Sequence, residues 1–285
     1  MTILDDRPLE RSTLESTPPA TAPRGPRSDA LRLGVALLAI LLVIAGVFVA
    51  RRWLAPTTAP ETLRPPGSGD AVNRGESPAA AVDLPPAGEM DAFIRGLLGG
   101  LSTRPELARW LTIDDLTSHI TSAIDQIARG LSPAREARVI APSRPFSTST
   151  RGGRLYIAPE SYARYDGLAA TAASIEPSAV ARAYATLKPR LEEAYQRMGG
   201  REGTLDAAVE RAIVTLLETP VGTGPIEVVP GRGNSFVFAD ESLESLEPAQ
   251  KQLLRMGPDN ARVIQDQLRE LARAIGISET RLPDR

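Results

Sequence analysis

The chain has 285 residues, with 33 Lys and Arg against 35 Asp and Glu, no cysteine and one histidine, His119. Without cysteine there is no disulfide, no thiolate metal site and no cysteine nucleophile. A single histidine removes most histidine-based catalysis and most zinc chemistry, and the balanced charge carries no basic surplus of the kind nucleic-acid binders use.

Met1 to Ala30 is rich in Pro, Ser, Thr and mixed charge. Residues 1–30 therefore read as a disordered tail. The next stretch, Leu33 to Ala50, is LGVALLAILLVIAGVFVA, flanked by Arg32 on one side and Arg51, Arg52 and Trp53 on the other. At about 1.5 Å per residue it spans roughly 27 Å, close to the roughly 30 Å hydrocarbon core of a bilayer. A helix satisfies its own backbone hydrogen bonds, so residues 31–52 are expected to form one transmembrane helix. The alternatives are a buried core helix and a signal peptide cut after Ala59. Nearby basic residues tie, with Arg24, Arg27 and Arg32 before the run and Arg51, Arg52 and Arg64 after it. A short leader before a single apolar helix behaves as an uncleaved signal anchor. The expected placement is thus single-pass in a bacterial inner membrane, N-terminus inside, with the C-terminal domain in the periplasm.

Residues 53–85 hold Pro56, Pro60, Pro65, Pro66, Pro78 and Pro85 with Gly67, Gly69 and Gly75. Such a segment buries too little apolar surface to offset its ordering entropy and reads as a linker. It would span roughly 30 Å as a coil and on the order of 100 Å as a polyproline helix.

Residues 86–280 read as one soluble, mainly helical domain of six to eight helices with two short β-hairpins. Met90, Phe93, Leu97 and Leu101 recur at helical spacing, with Ile94 and Leu98 beside them. Thr103-Arg104-Pro105-Glu106 reads as a capping box for a short helix with Leu107, Trp110 and Leu111, and Thr112 with Asp115 as a second one. Leu116, Ile120, Ala123 and Ile127 then share a face up to Gly130. His119 stands one turn after Asp115 and pairs with it either as acid–base machinery or as an ordinary surface pair.

Beyond Pro133 the period changes. Arg138–Ile140, Phe146–Thr148 and Arg154–Ile157 read as extended, with Gly152-Gly153 as a turn. Pro159 restarts a helix with Tyr162, Tyr165, Ala169 and Ala172 inward, Ser178 opens a long one that Pro189 should kink, and Thr204 caps another. Ile226–Val229 and Phe236–Phe238 form a second hairpin around Gly231 and Gly233. These glycines join two strands rather than a strand and a helix, which is the wrong context for a phosphate loop. IAPES at Ile157–Ser161 echoes FADES at Phe238–Ser242, which suggests that the extended segments pair into one antiparallel sheet. Pro248 opens a short helix, Gly257 stops it, and Pro258 starts a last helix with Ala261, Ile264, Leu268 and Leu271 on one seam.

Several blocks carry a resemblance: ELARWL at Glu106–Leu111, DDL at Asp114–Leu116, YARYD at Tyr162–Asp166, LKPRLEEAYQRMG at Leu187–Gly199 and PAQKQLLRMGPDN at Pro248–Asn260. In this order they resemble an uncharacterised bacterial family, the domain-of-unknown-function family 3014. The resemblance implies an N-terminal membrane helix, a Pro-rich spacer and then this domain. It implies no reaction, cofactor or catalytic residue.

Three functions compete. The first is a membrane-anchored, non-enzymatic binding domain of the cell envelope, with an envelope protein or cell-wall partner and no nucleic acid. The second is a glycan hydrolase using two of Asp114, Asp115, Glu160, Asp166 and Asp240. The third is a small-anion or ligand module built from Arg164, Tyr165, Asp166, Lys251, Arg255 and Asn260, in which Lys251 and Arg255 lie one helical turn apart. No metal and no cofactor is expected in any of them. The first fits best, because the chain is poor in nucleophile–base combinations.

Overall fold

The computed structural model describes residues 84–133, 142–200, 203–233 and 235–284. The tail, the apolar run Leu33–Ala50, nearly all of the linker and the segment Arg138–Ile140 lie outside them. Among the described residues no helix is long and apolar enough to cross a membrane.

Three helices open the fold: α1 (Met90–Gly99), α2 (Pro105–Trp110) and α3 (Leu116–Ala128). Strands β1 (Thr148–Arg151) and β2 (Arg154–Ile157) follow, then α4 (Pro159–Ala163), α5 (Asp166–Ala173), α6 (Pro177–Arg197) and α7 (Leu205–Leu217). Strands β3 (Glu227–Pro230) and β4 (Phe236–Phe238) lead to α8 (Glu241–Glu244), α9 (Pro248–Arg255) and α10 (Pro258–Ala274). The described residues thus hold ten α-helices, more than the six to eight expected, because several are a single turn or two between prolines and capping residues.

Helices α3, α6, α7 and α10 pack on one another, and α5 closes against α10. Their apolar positions follow the spacing read from sequence: Ile120, Ala123 and Ile127 on α3, Val180, Tyr184, Leu187 and Leu191 on α6, and Ala261, Ile264, Leu268 and Leu271 on α10 are all buried. Each fully buried Leu or Ile contributes about 1.5–3 kcal/mol of transfer free energy. Pro189 does not interrupt α6. It and Ala185, one turn earlier, are both exposed, so the carbonyl that loses its donor faces water.

The two hairpins pair into one antiparallel sheet in the order β1-β2-β3-β4. Gly152 and Gly153 turn the first hairpin at φ +56° and +78°, the left-handed geometry of a two-residue turn. The central pair sets Leu155 against Val228 and Tyr156 against Glu227. One face of the sheet has its own small core of Ile157, Val228, Phe238 and Leu254. Helix α9 joins the two cores, with Leu253 in the helical one and its neighbour Leu254 in the sheet one.

Some local expectations shift. The first strand begins at Thr148 rather than Phe146, and the third at Glu227 rather than Ile226. The capping box at Thr103 does not form: Pro105 takes the first helical position, so the cap falls on Arg104, whose backbone N–H donates to Ser102 Oγ at 3.2 Å. Thr112 does not cap α3 either. Asp115 itself is the cap, in left-handed geometry at φ 54°, and its side chain accepts the Ser118 N–H. The helix after Pro159 breaks in two at Arg164 and Tyr165.

Candidate functional site

A cleft of about 880 Å³ opens where β3 begins and β4 ends. Tyr156 and Arg154 of β2 form one side, and the Pro- and Gly-punctuated loop from Pro220 to Pro225 another. Leu243 of α8, Leu254 of α9, and Gly257, Pro258 and Ala261 at the α9–α10 junction complete it. Its charged groups are few. Arg154 and Glu227 meet at 3.2 Å on the exposed sheet surface. Asp240 caps α8, accepting Ser242 N at 2.8 Å and Ser242 Oγ at 2.6 Å. Those bonds from Ser242 hold its carboxyl below the usual carboxylate range, so it is ionised at neutral pH.

A second cavity of about 350 Å³ lies beside α1, the start of α3 and α6, lined by Asp91, Thr117, Arg190 and Glu193 among others. Several of its polar groups are committed to structure. Asp91 accepts the backbone N–H groups of Asp115 and Leu116 at 2.7 and 2.9 Å, and Arg190 donates to Glu193 and to the Pro85 carbonyl. Among the described residues no group of three His, Asp or Glu side chains stands ready to hold a metal ion.

The six residues expected to bind a ligand do gather, along the seam where α4 and α5 meet α9 and α10, but none lines the cleft. Tyr165 is buried, and its hydroxyl accepts Gln252 Nε2 at 2.9 Å. Burial pushes its phenol up, against a smaller opposing pull from the Arg164 charge. Asn260 Nδ2 donates to Asp166 Oδ1 at 2.9 Å and to the carbonyls of Tyr162 and Met256 at 3.2 and 3.0 Å. Arg164 donates to the carbonyls of Ser161 and Arg144 and lies over the rings of Phe146 and Tyr165 at 5.6 and 5.4 Å. Lys251 is taken up by Glu244, donating to its carbonyl at 2.8 Å and to Oε1 at 3.0 Å. Arg255 lies over the Phe238 ring at 5.1 Å.

The carboxylates are scattered. Asp114, Asp115, Glu160, Asp166 and Asp240 are all exposed. Asp114 meets Arg95 at 3.2 Å, Asp115 caps α3 and Asp166 faces Asn260. The link from His119 to Asp115 is the backbone bond of the helix, from N–H to carbonyl at 3.1 Å.

Two of the motif blocks that stand out in the sequence, YARYD and PAQKQLLRMGPDN, interlock across this seam. Residues 116–272 match a family described as a protein of unknown function, DUF3014. The chain belongs to that family. No curated protein and no solved structure matches it. The DUF3014 match takes in YARYD, LKPRLEEAYQRMG and PAQKQLLRMGPDN, while ELARWL lies before its start. Among the residues lining the cleft of this DUF3014 chain, Asp240 was a candidate carboxylate in the sequence, but the cleft as a whole escaped sequence reasoning. The loop around Gly222 and Gly224 carries only a turn signal, and Tyr156 and Leu243 only a packing signal.

Proposed function

We propose that this protein is a non-enzymatic binding module of the cell envelope, held to the membrane by Leu33–Ala50, with the sheet-end cleft as its recognition site. The observation that carries the reading is the cleft itself. Its volume of about 880 Å³ falls in the range of ligand-binding clefts, and an apolar floor with a few charged groups at the edge suits recognition. The dispersal of the five exposed carboxylates supports binding over a two-carboxylate hydrolysis, which needs its acids at a fixed separation across a substrate. The uncharged run between Arg32 and Arg51 supports the tether.

Crosslinking in intact cells tests the site. Gly224 lines the cleft, and a Cβ added there meets nothing within 4 Å, so Gly224→Trp is the variant chosen to put bulk at the cleft. The unaltered chain should yield a discrete adduct that Gly224→Trp weakens several-fold. No adduct, or one indifferent to the plug, overturns the recognition site. Carbonate washing tests the tether separately: the full chain should stay in the membrane pellet, and its intact release overturns the anchor. Digestion by protease added outside the inner membrane should remove the folded domain, and its protection overturns the orientation.

A further inference from the structure

Helix α9 brings three polar side chains to the flank of the sheet core, and their hydrogen bonds do not close. Lys251 is spent on Glu244, through its carbonyl and Oε1. The other carboxylate oxygen of Glu244, Oε2, accepts the Phe238 N–H at 2.9 Å. The Tyr165 hydroxyl receives Gln252. The neighbouring guanidinium, Arg164, has donated to two backbone carbonyls. Arg255 lies within electrostatic reach of Glu244 and Tyr165, yet among the described residues no acceptor hydrogen-bonds it and no carboxylate reaches ion-pair distance. Its guanidinium carbon lies over the Phe238 ring at 5.1 Å, and the residue is only partly covered, so the group is reachable from outside.

A cation drawn largely out of water and left without an acceptor is costly, and native proteins seldom keep one without a partner. Burial lowers the Arg255 pKa, against the opposing pull of Glu244, yet an arginine stays charged near neutral pH. Three cations, Arg164, Lys251 and Arg255, face two carboxylates here, Glu244 and Asp166, and both carboxylates are already held by other donors. The ring uses none of the guanidinium's N–H donors, and a guanidinium with free donors suits two oxygens side by side.

We infer that Arg255 is the protein half of an ion pair completed by an oxyanion, a phosphate or carboxylate group carried by a ligand. The site stands apart from the cleft, which none of its residues lines, and it does not depend on the cleft's role.

The test uses the full chain in detergent micelles, titrated with sodium phosphate and, separately, sodium succinate at constant ionic strength. Calorimetry should show saturable binding of at least one probe, and which probe binds assigns the group as phosphate or carboxylate. Arg255→Gln should weaken that binding by about tenfold or more, the loss of one or two charge-assisted hydrogen bonds. Arg255→Lys should fall between, keeping charge without the planar fork. Absence of saturation with both probes, or undiminished binding by Arg255→Gln, overturns the site. Should Arg255→Gln lose its far-ultraviolet circular dichroism, the unaltered chain still decides. Phosphate or succinate should slow phenylglyoxal modification of Arg255, read by peptide mass, and not that of Arg232, which is exposed at the tip of the second hairpin. Equal slowing at both positions, or none at Arg255, overturns the proposal.

Discussion

Gly257 sits between α9 and α10 at φ +88°, in backbone geometry that side chains disfavour. A Cβ placed there would stand 2.6 Å from Tyr162 Cγ, too close for any real contact. Three residues on, Asn260 ties the same Tyr162 through its carbonyl. Gly257→Ala should therefore cost about 2–4 kcal/mol, from backbone strain and from displacing the tyrosine. Urea denaturation measures this, with Gly199→Ala as reference. Gly199 has a similar φ of +98° but open space where the Cβ would go, so it should lose only the strain. A loss at Gly257 no larger than at Gly199 contradicts the close packing. At this scale the sequence was partly legible. Thr204 caps the helix expected of it, because a cap depends on neighbours only two or three residues away. The partners of Tyr165 and Asp166 were not legible, since Gln252 and Asn260 lie 87 and 94 residues further along the chain.

Helices α6 and α7 are fastened by a ladder on one side of α6. Tyr184 donates to Asp206 Oδ1 at 2.5 Å, Lys188 reaches Asp206 Oδ2, and Glu192 accepts the Leu205 N–H at 2.9 Å. Burial pushes the Asp206 carboxyl up, but hydrogen bonds from Lys188 and Tyr184 outweigh it and leave the group below its ordinary value. A depressed carboxylate adds stability that is present above its unfolded value, near pH 4, and is lost as pH falls through its folded value. Burial and the adjoining Asp206 raise the Tyr184 phenol well above its ordinary value. That contribution is present below about pH 10 and is lost as pH rises beyond it. Thermal melts from acid to strongly alkaline pH should show both limbs. Asp206→Asn should flatten the acid limb, and Tyr184→Phe the alkaline one. An acid limb unchanged in Asp206→Asn would show that the ladder contributes nothing to the titration. The helices themselves were legible from their apolar period. This ladder was not, because lysine and glutamate at helical spacing read equally well as a solvated face.

At the scale of the whole molecule, the mainly helical architecture and the pairing of the two hairpins could be read in advance, from hydrophobic period and from the echo of IAPES in FADES. The cleft could not. It arises where β2 comes against a loop, β3 and three helices from much further along the chain and leaves a gap, and no local pattern records a gap. The central strand pair β2–β3 is split by helices α4 to α7, so closing it spans about 70 residues of chain and carries a loop entropy that local hairpins and helices avoid. The amide to watch is that of Ile157, which donates to Ile226 across the split at 3.0 Å. In pulse-labelled refolding it should gain protection after the amides of Ile120 and Ile124 on α3. Simultaneous protection would show that the sheet closes with the helices.

Ile226 is also part of the cleft wall, so if the β2–β3 pair closes late, the cleft forms with it rather than with the helices. On the proposed reading of the cleft, a chain that has collapsed and gained its helices would not yet bind there. Ligand capture would then report a finished molecule, which makes the cleft a natural checkpoint between compaction and maturity.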